Sequence, residues 1–144
     1  MNELYKTFAY LFFSFLLSFL STKIDSQFIN DFSQNFITLL TTLLAINIAS
    51  SSLIAGKLKE LNIKTGQNFE KTRKELKRSL SIQLILIAIS FILLMFKTSS
   101  LFCDLLGAEY LNLISNTITV SIFIYYLDTI KDLGKALFSL LDFD

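Results

Sequence analysis

Four long apolar runs divide the chain. They are Leu4 to Leu20, Phe36 to Ala55, Leu80 to Phe96 and Leu105 to Leu127. The hydrocarbon core of a bilayer is about 30 Å thick, and an α-helix needs about 20 apolar residues to cross it. The pattern therefore predicts an all-α fold: a polytopic membrane protein whose residues 1 to 144 form a single domain of four transmembrane helices.

The composition excludes most familiar catalytic chemistry. Among 144 residues there is no histidine and a single cysteine, which leaves no His-dependent triad and no zinc or iron–sulfur ligand set. The four glycines form neither GxGxxG nor GxxxxGK[ST], the loops that cradle nucleotide phosphates. We expect a protein that is not an enzyme and that binds no cofactor or metal.

Charged residues are few and unevenly placed, at 17% of the chain against about 25% in soluble domains. The connection between the second and third runs holds eight basic residues and three acids, whereas the first connection holds one lysine and two acids and the third holds Lys97 and Asp104, with Glu109 near the start of the fourth run. By the positive-inside rule the basic connection is cytoplasmic. This predicts a multi-pass membrane protein with both termini in the cytoplasm.

The basic connection has the pattern of a helical hairpin. Lys57 to Leu61 continues the second helix, Asn62 to Gly66 supplies turn residues, and Asn68 is placed to cap the helix that leads into the third run. After the fourth run, Asp128 to Lys135 predicts a short helical extension that closes near Gly134.

Uncharged polar residues concentrate in the second and fourth runs. Away from their ends the runs carry no charge, which counts against proton-coupled carriers and voltage sensors. At helical spacing the second run also carries a stripe of small residues: Thr38, Thr42, Ala45, Ala49, Ser52 and Gly56. The polar candidates are Thr42, Asn47, Ser51, Asn112, Asn116 and Thr119. They predict either helix packing in the membrane or the wall of an ion path in a homo-oligomer.

Five residues of the basic connection are candidates for binding a partner or lipid: Lys71, Arg73, Lys74, Lys77 and Arg78. They allow three interpretations: a determinant of topology, a site for anionic membrane lipids, or a docking site for a cytosolic protein partner encoded nearby. Direct nucleic-acid binding is not expected, because Phe69 alone is available for stacking on bases.

One stretch resembles a known family. Leu43 to Leu61 reads LLAINIASSSLIAGKLKEL, which is similar to the second span of the membrane component of the Rex phage-exclusion pair; the whole chain is more loosely similar to four-span subunits of antiphage systems such as Kiwa. The resemblance implies an inner-membrane effector or sensor, paired with a cytosolic protein that detects infection. Effectors of this kind open an ion path and halt the host before phage matures.

We therefore expect an oligomeric membrane effector or sensor of antiphage defence that forms or gates an ion path when a cytosolic partner engages the basic hairpin. One alternative is a non-conducting anchor or sensor that holds and releases a cytosolic effector. A second is a holin-like phage membrane protein, whose lesion needs no partner.

Overall fold

A computed structural model describes residues 3–24, 26–66, 68–99, 104 and 107–141. Four helices account for nearly all of them: α1 (Glu3–Ile24), α2 (Ser26–Thr65), α3 (Glu70–Lys97) and α4 (Ala108–Leu141). Each is long and apolar enough to cross a membrane, and the described residues include no strand. The predicted all-α fold with four membrane-length helices is confirmed.

The helices are longer than the apolar runs that predicted them. At 40 residues, α2 is about 60 Å long at 1.5 Å per residue, and it begins ten residues before Phe36 and ends ten after Ala55. At the other end of the chain, α4 continues through Gly134 to Leu141, so the predicted close near Gly134 is wrong. The predicted start of the fourth run, Leu105, lies outside the described residues.

A short connection, the α2–α3 turn, joins α2, which ends at Thr65, to α3, which begins at Glu70; residue 67 lies outside the described residues. The prediction began it at Asn62, but α2 continues to Thr65 and the Gly66 N–H donates to the Asn62 carbonyl at 2.9 Å. Gly66 has a φ of 69°, a left-handed conformation that costs glycine little. The Asn68 side-chain oxygen accepts from the Glu70 N–H at 2.8 Å. The N-cap position of α3 is nevertheless Phe69, whose side chain makes no cap hydrogen bond, so the predicted cap at Asn68 is wrong by one residue.

Two apolar clusters lie between the helices. In the described part of the chain, α2 and α4 each pack against all the other helices, whereas α1 and α3 do not contact each other. The central apolar cluster consists of Phe36, Leu40, Leu44, Ile122 and Tyr126. The turn-side apolar cluster consists of Ile54, Leu58, Leu76 and Leu133.

The buried side of α1 is formed by serines. Ser14 and Ser18 are fully buried, and such small residues let helix backbones approach closely in lipid. The phenylalanines at helical spacing, Phe8, Phe12, Phe15 and Phe19, are instead 44–69% exposed. They form an outer surface suited to lipid.

Candidate functional site

A polar layer lies in the bundle interior between the two apolar clusters. The Asn47 amide donates to the Gln83 Oε1 atom at 2.9 Å, and the two side chains are 3% and 0% exposed. Sequence reasoning picked Asn47 but missed Gln83, because the third run reads as plainly apolar. A lone carboxamide inside an uncharged run was the signal that could have found it.

The same layer contains several buried polar atoms without a hydrogen-bond partner. They are Gln83 Nε2, Ser51 Oγ and Ser79 Oγ. Because α2 and α3 run antiparallel with Asn47 opposite Gln83, a step of four residues along each helix places Ser51 and Ser79 one turn nearer the α2–α3 turn. We call Asn47, Ser51, Ser79 and Gln83 the proximal polar layer.

A second polar group lies at the other end of the bundle. The Asn116 Oδ1 atom accepts from Lys97 Nζ at 3.0 Å and from Ser33 Oγ at 3.4 Å. Ser33 and Asn116 are each 4% exposed. We call these three residues the distal polar layer; it joins α2, α3 and α4.

The central apolar cluster separates the two polar layers. Ser33 and Asn47 are about 21 Å apart along α2 at 1.5 Å per residue, and the fully buried Phe36 and Leu40 lie between them. The Tyr126 hydroxyl belongs to this cluster and donates to the Leu40 carbonyl at 3.0 Å. Within one chain, the polar layers are therefore two separate groups rather than one continuous path.

The six predicted polar candidates divide by exposure. Asn47, Ser51, Asn116 and Thr119 are buried within a single chain, whereas Thr42 and Asn112 are exposed. The Thr119 hydroxyl donates to the carbonyl of Ser115 at 2.8 Å within α4. The buried four can help pack one bundle, and the exposed two are available to a neighbouring molecule.

One whole face of α2 is exposed and consists of small side chains. It is the predicted stripe, and every member is exposed: Thr38, Thr42, Ala45, Ala49, Ser52 and Gly56. At 100° per residue these positions are centred about 160° from the buried face of the same helix. We call them the small-residue face.

The predicted docking residues form an exposed basic surface beside the α2–α3 turn. Lys71, Arg73, Lys74, Lys77 and Arg78 are all exposed. They cover an arc of about 160° on the side of α3 away from Leu76. None of the five pairs with a carboxylate in the described part of the chain. We call them the basic face.

An ion pair that sequence reasoning missed joins the first and last helices. Lys6 of α1 pairs with Asp128 of α4, and the two side chains are 23% and 16% exposed. Both line an open cleft of about 300 Å³ together with Arg78 of α3. The start of α1, the start of α3 and the later part of α4 therefore lie at the same end of the bundle. No local sequence signal links positions 122 residues apart.

The chain matches no protein-family model, no curated protein and no solved structure. The features of the molecule that bear on function are the two polar layers, the small-residue face and the basic face.

Proposed function

We propose that the protein is an oligomeric inner-membrane component of an antiphage defence system. A cytosolic protein engages the basic face, and the assembly then opens or gates an ion path. The observation that carries the proposal is the basic face itself: five exposed cations without carboxylate partners in the described residues. It adjoins helices long and apolar enough to span a membrane.

The arrangement of the helix ends supports a topology with both termini in the cytoplasm. Lys6, Arg78 and Asp128 line one cleft, so the start of α1 lies at the same end as the basic face. The positive-inside rule places that end in the cytoplasm. A cytosolic partner would meet the basic face and the cleft together.

The ion path is proposed to form between copies of the chain. The interior of one bundle is closed by the central apolar cluster, whereas the small-residue face is exposed. Small side chains let helices from different copies approach closely in lipid. The hydroxyls of Thr38, Thr42 and Ser52 would supply the polar part of the wall.

Charge reversal on the basic face tests the proposal. In cells carrying the gene with its flanking genes, phage infection should depolarise the membrane, as measured with a potential-sensitive dye. Lys74→Glu with Lys77→Glu should abolish depolarisation, because the partner would meet repulsion where it now meets attraction. The matched control is Lys131→Glu with Lys135→Glu, an equal change of charge on the later part of α4 that should leave depolarisation intact.

Normal depolarisation in the Lys74/Lys77 variant would refute docking on the basic face. Labelling of introduced cysteines from either side of the membrane should show one topology for both variants, so that inverted insertion is not mistaken for lost docking.

The hydrogen bond between Asn47 and Gln83 favours a second candidate, the non-conducting anchor. In this hydrogen bond the polar side chains of α2 and α3 hold one bundle together. Helix packing of this kind requires no ion path. An anchor predicts that the Lys74/Lys77 variant releases the cytosolic partner from the membrane fraction, while infected wild-type cells keep their membrane potential.

A further inference from the structure

A polar cleft lies at the end of the bundle away from the α2–α3 turn. It has a volume of about 410 Å³ and is formed by α2, the end of α3 and the start of α4. Its lining includes three carboxamides, two hydroxyls and one ammonium: Asn30, Gln34 and Asn112, Ser33 and Thr98, and Lys97. Each of these six side chains can donate a hydrogen bond.

The Lys97 ammonium is held in this cleft without a counter-charge. Its Nζ atom donates to Asn116 Oδ1 at 3.0 Å, and the side chain is half-buried. In the described residues no carboxylate lies within 4.0 Å of it. The described acids that are closest in sequence to the cleft residues, Asp31, Asp104 and Glu109, are exposed. A half-buried cation that contacts only a neutral amide retains unused capacity to bind an anion.

The position of the cleft along the bundle matches the level of lipid headgroups. From Arg78 to Lys97, α3 rises about 28 Å at 1.5 Å per residue, close to the thickness of the hydrocarbon core. The residues between these two cations include no Asp, Glu, Lys or Arg. When Arg78 lies at one membrane surface, Lys97 lies at the other, where lipid phosphates are found.

We propose that this cleft binds a phosphate group, supplied by an anionic lipid headgroup or by free phosphate. Lys97 provides the charge, and the carboxamides of Asn30, Gln34 and Asn112 provide N–H donors to the phosphate oxygens. The site requires neither an ion path nor a cytosolic partner, and it takes from the proposed function only the placement of the helices in a membrane.

Ligand-dependent thermal stability of the purified full chain in a non-ionic detergent tests the site, with far-ultraviolet circular dichroism as the readout. The probes are dioctanoyl phosphatidylglycerol, inorganic phosphate, and dioctanoylglycerol, which has the same acyl chains and no phosphate. A ligand that binds the folded state raises the melting midpoint in a saturable manner. Phosphatidylglycerol should do so, and dioctanoylglycerol should not.

The variant Lys97→Gln should raise the half-saturating concentration of phosphatidylglycerol about tenfold or more, the loss expected for one charge-assisted bond. The matched control Lys23→Gln removes an exposed lysine in the last turn of α1 and should leave that concentration within about twofold. Asn112→Ala, at an exposed position, should raise it about threefold or more and serves as the test if Lys97→Gln does not fold.

A response to inorganic phosphate as well identifies the phosphate group itself as the ligand, whereas a response to the lipid alone identifies a headgroup site. The proposal is overturned if neither phosphatidylglycerol nor inorganic phosphate raises the midpoint, or if Lys97→Gln and Lys23→Gln lose the response equally. Neither result tests the proposed role of the basic face in membrane depolarisation.

Discussion

At the residue scale, the contact between Asn47 and Gln83 is the polar bond that most directly ties α2 to α3. Both side chains are buried, so loss of either partner leaves the other unpaired, at a cost of about 1–3 kcal/mol. Gln83 already has an unpaired Nε2 atom. The main effect of the pair is therefore to fix which faces of α2 and α3 pack together. Its contribution to the free energy of unfolding is secondary.

A double-mutant cycle should measure this bond. Asn47→Leu and Gln83→Met should each destabilise the bundle, and the double variant should lose less than the sum, with a coupling free energy of about 0.6–2 kcal/mol. The measurement is denaturant unfolding in detergent followed by circular dichroism.

A second cycle, Asn47→Leu with Ser90→Ala, is the control. The buried Ser90 hydroxyl donates to the Leu86 carbonyl of its own helix at 2.7 Å, so these two changes should be additive. If the Asn47 and Gln83 changes are additive as well, the hydrogen bond between the two side-chain amides does not form.

At the element scale, replacing two glycines on different elements by alanine should have opposite effects on stability. Gly66 has a φ of 69°, so Gly66→Ala should destabilise the α2–α3 turn by about 1–2 kcal/mol. Gly134 is helical, and a Cβ added there meets no atom within 4 Å, so Gly134→Ala should stabilise α4 by about 0.5–1 kcal/mol. Unfolding in detergent measures both, and each variant is the other's control. Destabilisation by Gly134→Ala would show that α4 ends near Gly134.

The sequence predicts where the helices lie better than it predicts where they end. Apolar runs locate the helices because membrane length requires them, but they do not locate helix ends, because polar residues such as Asn30 and Lys64 continue a helix at no large cost. Tertiary contacts were less predictable still. The concentration of uncharged polar residues in the second and fourth runs identified Asn47 and Asn116, but the pattern within one helix says nothing about the partner on another helix, here Gln83 and Lys97.

At the scale of the whole molecule, the proposed ion path requires copies of the chain to pack together along the small-residue face. It lies on the side of α2 opposite the residues that pack the bundle, so assembly there would leave the interior undisturbed. A large side chain at its centre should keep neighbouring backbones apart. Ala49 is exposed there, and Ala88 is exposed on α3 away from this face.

Ala49→Leu should therefore weaken the oligomer, while Ala88→Leu, the same chemical change on another exposed helix surface, should leave it unchanged. Chemical cross-linking in native membranes and light scattering of the detergent-solubilised protein measure the oligomeric state. Both variants should unfold like the wild type, because neither residue packs inside the bundle. Equal oligomer content in both variants would remove the small-residue face as the contact between copies, and with it the proposed ion path there.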